Sequence, residues 1–560
     1  MDAHPSNFKT IIQGEKQFYV PLFQRPYTWG YVPIKVLWDD ITDLYEGNIP
    51  NNQGHFIGSF VTVLDSSTPT GVSRYTVIDG QQRMTTLLLF LAAIRGIAIA
   101  RQQIQIADMI RGLYLCNPYQ SGESAAKFVP TQADRTQFQA ALELQSDAPI
   151  TSPTLYNAFE KINKLVGGVD DSGQPYDMAR LHDLITMRLS LVSITLGAND
   201  NAYVIFHSLN GKGEDLTEAD LIRNYFFMRL PIEHQQAVYD AHWFPMQEAL
   251  KGKYELPEFF RHYLSKEGTL VNARALYNEV KNRADEKCKT SEELIDFIAG
   301  IGRFAGFYKR IISPDLEPSK AIRNRLERLN RWGVTVAYPL LLNLYDDYTA
   351  SRISEAEFVS LIAAIESFVV RRFFCRIPTN RLNRIFAIAY RETIPEADAS
   401  AAERVQTLPD FFVRQQWPDD AAFIEGFRRY PIYHEGARCD LVLRSLELAE
   451  EHHEVVTTDT LQIEHIMPQT LSDQWKQALG SEHPRVYQEW LHTIGNLTLT
   501  GYNQTLSNAE FTQKKTVFAM SNITLNAYFT NLTDWTEAQI MERSKYMAKQ
   551  ASSIWAHPVH

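Results

Sequence analysis

Residues 73–100 read SRYTVIDGQQRMTTLLLFLAAIRGIAIA. The first seven are rich in β-branched and aromatic side chains and follow a Gly-Val turn, which predicts a strand. Gly80 then opens a tight DGQQR turn. From Met84 the chain is apolar on most faces to Ala100 and on through RQQIQIADMIRGLYL, which predicts a well-buried helix. A strand passing through a glycine turn into a buried helix is an α/β element, and it marks the N-terminal part as sheet and helix together.

Outward from it, FYVPLF (18–23), HFIGSFVTVL (55–64) and LSLVSITL (189–196) predict further strands. DNAYVIFHSLN (200–210) predicts a helix ending at Gly211, and DLTEADLIRNYFFMRL (215–230) a helix capped by Thr217, with Glu218 and Asp220 in its first turn. Residues 231–450 give helix after helix, with apolar residues three and four apart. Beyond 455 the pattern changes. LQIEHIMPQ predicts a short strand into a Pro-ended loop, IGNLTLTGYN a strand pair or hairpin, NAEFTQKKTVFAM a helix and TEAQIMERSKYMAKQASSIW a long amphipathic helix. The fold class predicted is α+β, predominantly helical, with divisions at 1–230, 231–410 and 411–560.

The chain has 560 residues, 55 Lys and Arg against 66 Asp and Glu, and a formal net charge of −11. Hydrophobic residues at 45% and charged residues at 22% describe a globular chain, not a disordered one. The acidic balance argues against coating nucleic acid by bulk charge and leaves room for a local basic groove. Cys116, Cys288, Cys375 and Cys439 have no CxxC spacing, which disfavours a thiolate zinc site and fits a reducing, cytoplasmic setting. The start lacks a secretory pattern. The longest apolar stretch, Leu87–Ile99, is interrupted by Arg95 and reads as too short for a membrane span.

The densest chemistry lies near the C-terminus: Glu464-His465-Ile-Met-Pro468, then Gly495-Asn496-Leu-Thr-Leu, then Asn503, Asn508 and Lys514. A His on a strand, a Pro-turned loop, an Asn-bearing strand and a polar helix suit a ββα-metal arrangement. There a neutral imidazole takes a proton from water, an oxygen-liganded Mg²⁺ or Mn²⁺ holds the scissile phosphate, and an Asn fixes the imidazole tautomer. The plainer alternative is a strand end with a satisfied histidine and turn asparagines. His492 reads as a packing or capping residue.

A second cluster joins VPLFQRPYTW (20–29) to VIDGQQRMTTL (77–87). Thr85 and Thr86 fall in the first helical turn, where N–H groups and the helix dipole attract anions. Arg83 can fork onto a phosphate, Gln81 and Gln82 can donate, and Arg25 and Trp29 offer a cation and a stacking face. The plainer alternative is a strand–turn–helix with a buried Asp79–Arg83 pair. There is no Walker-type P-loop.

Together these strings resemble GmrSD-type restriction endonucleases, modification-dependent (type IV) phage-defence enzymes with BrxU-like and SspE-like members. IEHIMPQ and HTIGNLTLTGYNQTLSNAEFTQKK resemble their HNH-type nuclease domain. FQRPYTW, DGQQR and FHSLNGKGEDLTEADLIRN (206–224) resemble their N-terminal nucleotide domain, which implies a ParB/sulfiredoxin-like fold. ESFVVRRFF (366–374) and WPDDAAFIEGF (417–427) lie between in the same order. Arg371 and Arg372 there face DNA or pair with helical carboxylates.

The resemblance implies that His465 is the general base and Asn496 the structural or tautomer-fixing residue. It places Glu464 and either Asn503 or Asn508 on the metal. It implies a nucleoside triphosphate (GTP, UTP or ATP) at Asp79, Gly80, Gln81, Gln82 and Arg83, joined by Thr85, Arg25 and Trp29, with Asn210, Gly213, Thr217 and Asp220 in the third motif. It also implies double-stranded, modified phage DNA as partner; no membrane is expected, and a local basic groove is expected to offer DNA contacts at Lys514 and Lys515. The long C-terminal helix packs internally or pairs in a homodimer. The other readings are a nucleotide-dependent DNA-binding regulator without nuclease activity and an HNH RNase toxin.

Overall fold

A computed structural model describes residues 2–22, 24–49, 54–66, 71–197, 217–251, 255–393, 401–449, 461–501 and 508–558. The chain divides into two compact units, Met1–His242 with Val280–Asp296, and Trp243–Glu279 with Phe297–His560.

The first unit is built on a six-stranded mixed sheet: β1 (Asp2–Asn7), β2 (Lys16–Tyr19), β3 (His55–Ser66), β4 (Ser73–Asp79), β5 (Phe128–Val129) and β6 (Leu189–Leu196), in the order β1-β6-β3-β4-β2-β5. β3 runs antiparallel to β4 and parallel to β6, and β2 runs parallel to both β4 and β5. β1, which the sequence pattern does not reveal, lies antiparallel on β6. As an edge strand it needs no alternation, tolerates Pro5 and leaves its first four residues exposed.

β4 enters the helix Gln81–Ala100 through Gly80 at φ 92°. A Cβ there would sit 2.9 Å from the Ser59 carbonyl oxygen and 2.9 Å from the Phe60 ring. The turn therefore needs glycine both for its handedness and for the close approach to β3. Every residue from Met84 to Ile94 is buried. They share one core with Phe18, Phe60 and Val77 of the sheet, Ile34 and Trp38 of the helix Tyr31–Glu46, and Leu155 of the helix Pro153–Val166. Trp38 stacks on Phe90 at 5.6 Å. The neighbouring strand residues Val61 and Ile78 turn to the other face, where they meet Ile194, Leu196 and Met228. This is the two-residue period of a strand covered on both sides. The helix Gln81–Ala100 is long and apolar enough to cross a bilayer, which the sequence reading put out of reach, and its packing inside the core accounts for that composition.

Within the second unit a polar network joins the helical region to the C-terminal region. On the helix Glu355–Phe374, buried Arg371 donates to the carbonyls of Trp555 (2.6 Å), Pro418 (3.1 Å) and Ser552 (3.2 Å) and to Asp420 (2.6 Å). Buried Glu366 accepts from the Trp555 indole at 2.8 Å and from Arg328 at 2.6 Å. Arg372 is spent on the carbonyls of Gln415, Gln416 and Pro378. Both arginines are thus internal rather than aimed at DNA. Trp555 follows the C-terminal helix Glu537–Ile554, so that helix is tied into the helical region of its own chain.

At the C-terminal end β7 (Gln462–His465) pairs antiparallel with β8 (Leu497–Thr500), His465 opposite Leu497. Of the IGNLTLTGYN string, expected as a strand pair or hairpin, Ile494–Asn496 form a tight turn and Leu497–Thr500 are β8, paired with β7, while Tyr502 and Asn503 lie outside the described residues. The helix Phe511–Phe518 follows. The helix expected at 200–210 lies outside the described residues.

Candidate active site

β7 presents Glu464 and His465 to opposite faces. Glu464 turns to the helix Phe511–Phe518, where Lys514 Nζ lies 2.6 Å from its Oε1 and 2.6 Å from the His465 carbonyl oxygen. Lys514 is fully buried, so it offers nothing to DNA, contrary to its reading as a DNA contact. Lys515 Nζ is likewise committed, at 2.8 Å from the Leu532 carbonyl. A lysine on a polar helix normally reads as solvated, and only a carboxylate fifty residues earlier in the chain explains this one. Burial pushes the Glu464 carboxyl up and the Lys514 ammonium down, and each opposes the other's shift.

His465 is buried on the other side. Its Nε2 lies 3.3 Å from His492 Nδ1 and its Nδ1 lies 3.3 Å from Gln469 Nε2. The Tyr433 ring stands edge-on at 4.3 Å and is stacked on His492 at 5.3 Å, while His434 meets His492 at 4.2 Å. Burial first, then the neighbouring His492, Lys514 and His434, push the His465 pKa down to about 3. The imidazole is therefore neutral at ordinary pH, the form able to accept a proton.

Asn496 does not touch this ring. Its Oδ1 accepts from the Met467 amide (2.7 Å) and the Trp535 indole (3.1 Å), and its Nδ2 donates to the Met467 carbonyl (3.0 Å) and the Leu491 carbonyl (2.9 Å). All four hydrogen-bonding positions of the amide are used. Asn496 fastens the loop after His465 to the turn before β8, and the tautomer-fixing role carried by the resemblance does not fall to it. Arg543 of the C-terminal helix secures the same turn through the carbonyls of Gly495 (2.9 Å) and Leu497 (2.7 Å).

The expected metal ligands do not converge. Glu464 is neutralised by Lys514, Asn508 is exposed and Asn503 lies outside the described residues. Among the described residues no three His, Cys, Asp or Glu side chains could hold one ion. The described donors do not fit the divalent cation.

In the first unit the DGQQR turn and the FQRPYTW segment are knitted together. Gln81 Nε2 donates to the Arg25 carbonyl and Gln82 Nε2 to the Pro26 carbonyl, both at 3.1 Å, and the Thr28 amide donates to Gln82 Oε1 at 2.9 Å. Tyr27 bonds Thr86 at 2.8 Å. Arg83 donates to the Ser59 carbonyl, lies 3.9 Å from Asp79 and packs over Gly58. Gln82 and Thr85 are buried, so their expected phosphate contacts are not available from these positions. Asp79, Gln81, Arg83, Arg25 and Trp29 keep partial exposure. In the third motif Thr217 and Asp220 form a reciprocal capping box on the helix Glu218–Arg229, while Asn210 and Gly213 lie outside the described residues.

The sequence reading missed the surroundings of His465. Tyr433 and His434 come from PIYHEG, Gln469 from the loop after β7, and His492 from the HTIGN string where it read as packing. Only the short spacing of His492 to Asn496 was a signal.

Residues 8–227 match the family model of the GmrSD restriction endonuclease N-terminal domain, and residues 417–550 match that of the GmrSD restriction endonucleases C-terminal domain. No curated protein matches the chain.

Proposed function

The chain belongs to the GmrSD restriction endonuclease family, and from that premise we propose that it cuts or nicks modified foreign DNA at His465, in phage defence, under the control of a nucleoside triphosphate at the DGQQR turn. A restriction endonuclease acts on DNA. The observation that carries the His465 assignment is its place at the end of β7, inside the matched C-terminal segment, with its ring between Gln469 and His492 and turned away from the Glu464–Lys514 pair. The order β7, β8, then the helix Phe511–Phe518 supports an HNH-type reading of this region.

In the step proposed, His465 takes a proton from water, the water oxygen bonds to phosphorus, the P–O3′ bond breaks and the leaving oxygen takes a proton from solvent. In the N-terminal unit, Arg83 and Gln81 beside Asp79 and Gly80 are the groups proposed to meet the nucleotide, with Arg25 and Trp29 across the turn.

The test is cleavage of matched glucosylated, phosphorothioate and unmodified duplex DNA, and of RNA, with GTP, UTP or ATP and with Mg²⁺, Mn²⁺ or a chelator. The expected result is modified-DNA cleavage that His465→Ala abolishes while nucleotide binding persists, and nucleotide binding that Arg83→Ala weakens. A fully active His465→Ala chain overturns the base. A parent chain that cuts no DNA in any arm leaves the regulator reading, and preferential RNA cleavage leaves the toxin reading.

A further inference from the structure

We infer that His492 is the positioning residue of the His465 base, and that it leaves Nδ1 as the nitrogen that receives the proton. The inference rests on the assignment of His465 proposed above. An amide nitrogen can only donate, so Gln469 Nε2 at 3.3 Å makes His465 Nδ1 an acceptor. A neutral imidazole with a bare Nδ1 carries its proton on Nε2. That N–H points at His492 Nδ1, 3.3 Å away, which accepts it. His492 is therefore the Nε2–H tautomer as well.

Among the described residues, two other candidates for this role are excluded. Asn496 has all four hydrogen-bonding positions occupied, and Glu464 faces the opposite side of β7. The His492 ring is held in place: it lies between Tyr433, stacked with an interplanar angle of 12°, and His434 at 4.2 Å. Its carbonyl accepts from the Tyr433 amide at 3.2 Å, which fixes the two segments against each other.

The two sides of the His465 ring then differ in use. The Nε2 side is taken by His492. The Nδ1 side faces Gln469, an exposed residue. When Nδ1 takes the proton from water, Nε2–H keeps its acceptor, so the imidazolium forms without losing its orientation. Outer partners of metal-bound histidines are worth roughly 10–100-fold in activity, and the same scale is expected of His492.

The test uses the full chain on the modified duplex that the parent cuts. His492→Phe keeps a flat ring and removes the acceptor; kcat should fall about 10–100-fold with KM for DNA unchanged. His492→Asn restores an acceptor oxygen near the Nδ1 position and should recover most of that loss. Should His492→Phe fail to fold, His492→Ala assayed with and without added imidazole replaces it, with rescue by imidazole expected. A His492→Phe chain as fast as the parent, His492→Asn as slow as His492→Phe, or no imidazole rescue would each overturn the role of His492 while His465→Ala remains inactive. An active His465→Ala chain would instead remove the base assignment on which it stands.

Discussion

Replacing Lys514 by Met removes the ammonium from a buried carboxylate and leaves a methionine of similar length in its place. In the structure Nζ serves two acceptors at 2.6 Å, Glu464 Oε1 and the His465 carbonyl, and both residues are buried. Stripping one partner from a buried pair costs about 3–5 kcal/mol. Part of that is relieved by protonation of Glu464, whose carboxyl burial already raises above its ordinary value of 4.5 and only Lys514 holds down. A carboxyl raised in the folded state binds more protons there than in the unfolded chain. Its stabilisation is thus full below pH 4.5 and is lost as pH rises through the folded pKa. The Lys514→Met chain should therefore unfold earlier in denaturant at pH 7 and recover toward pH 5. Glu464→Gln added to it should restore much of the loss at pH 7, since the carboxylate is then gone. Trp475, Trp490 and Trp535 lie in the core beside this pair, so intrinsic fluorescence follows the transition. A Lys514→Met midpoint equal to that of the parent, or a double variant no more stable than the single one, would refute the buried pair.

Gly80→Ala places a side chain at φ 92° and 2.9 Å from the Ser59 carbonyl, so a loss of at least about 1–2 kcal/mol is expected in thermal unfolding of the N-terminal unit; an unchanged melt would contradict the turn geometry. Asn496→Asp sets a carboxylate against the Met467 and Leu491 carbonyls, and about 1–3 kcal/mol should be lost for each buried group left unsatisfied; cleavage lost without any change in melting would return Asn496 to the chemistry. His262 is buried, bonded to Tyr308 at 3.1 Å, and held neutral by burial and then Arg261 down to about 4. Its folded pKa is depressed, so the unfolded chain binds the extra proton first and stability falls as pH drops from about 6.5 to 4, by about 3 kcal/mol if the full shift is realised. His262→Gln should flatten that slope in denaturation measured across the range, and an unaltered slope would exclude the residue as its source.

The central strands and the buried helix after DGQQR are legible because alternation and all-round hydrophobicity are local patterns. β1 is not, since an exposed edge carries no such pattern. The union of the helical region with the C-terminal region is also hidden. Periodicity shows that a helix has an apolar face but not what covers it, and Arg371 meets Trp555 only in the fold. At the site, His465 stands out by its neighbours in sequence. Its real surroundings come from three separate segments around residues 433, 469 and 492, which no spacing rule joins. Lys514 and Asn496 were assigned by residue type, and their partners turned them from a DNA contact and a ring partner into internal fastenings.

The tie between Arg371, Glu366 and the residues around Trp555 bears on where this chain can be cut. The matched C-terminal segment spans 417–550, which invites excision at those limits. Such a fragment would lack Ser552 and Trp555, whose carbonyls receive Arg371, and would lack the helix Glu355–Phe374 as well. The remainder would keep a buried guanidinium and the Glu366 carboxylate with part of their partners missing. The smallest piece able to stand alone accordingly includes the preceding helices, so shuffling of this C-terminal end between proteins would have to carry those helices along as one cassette.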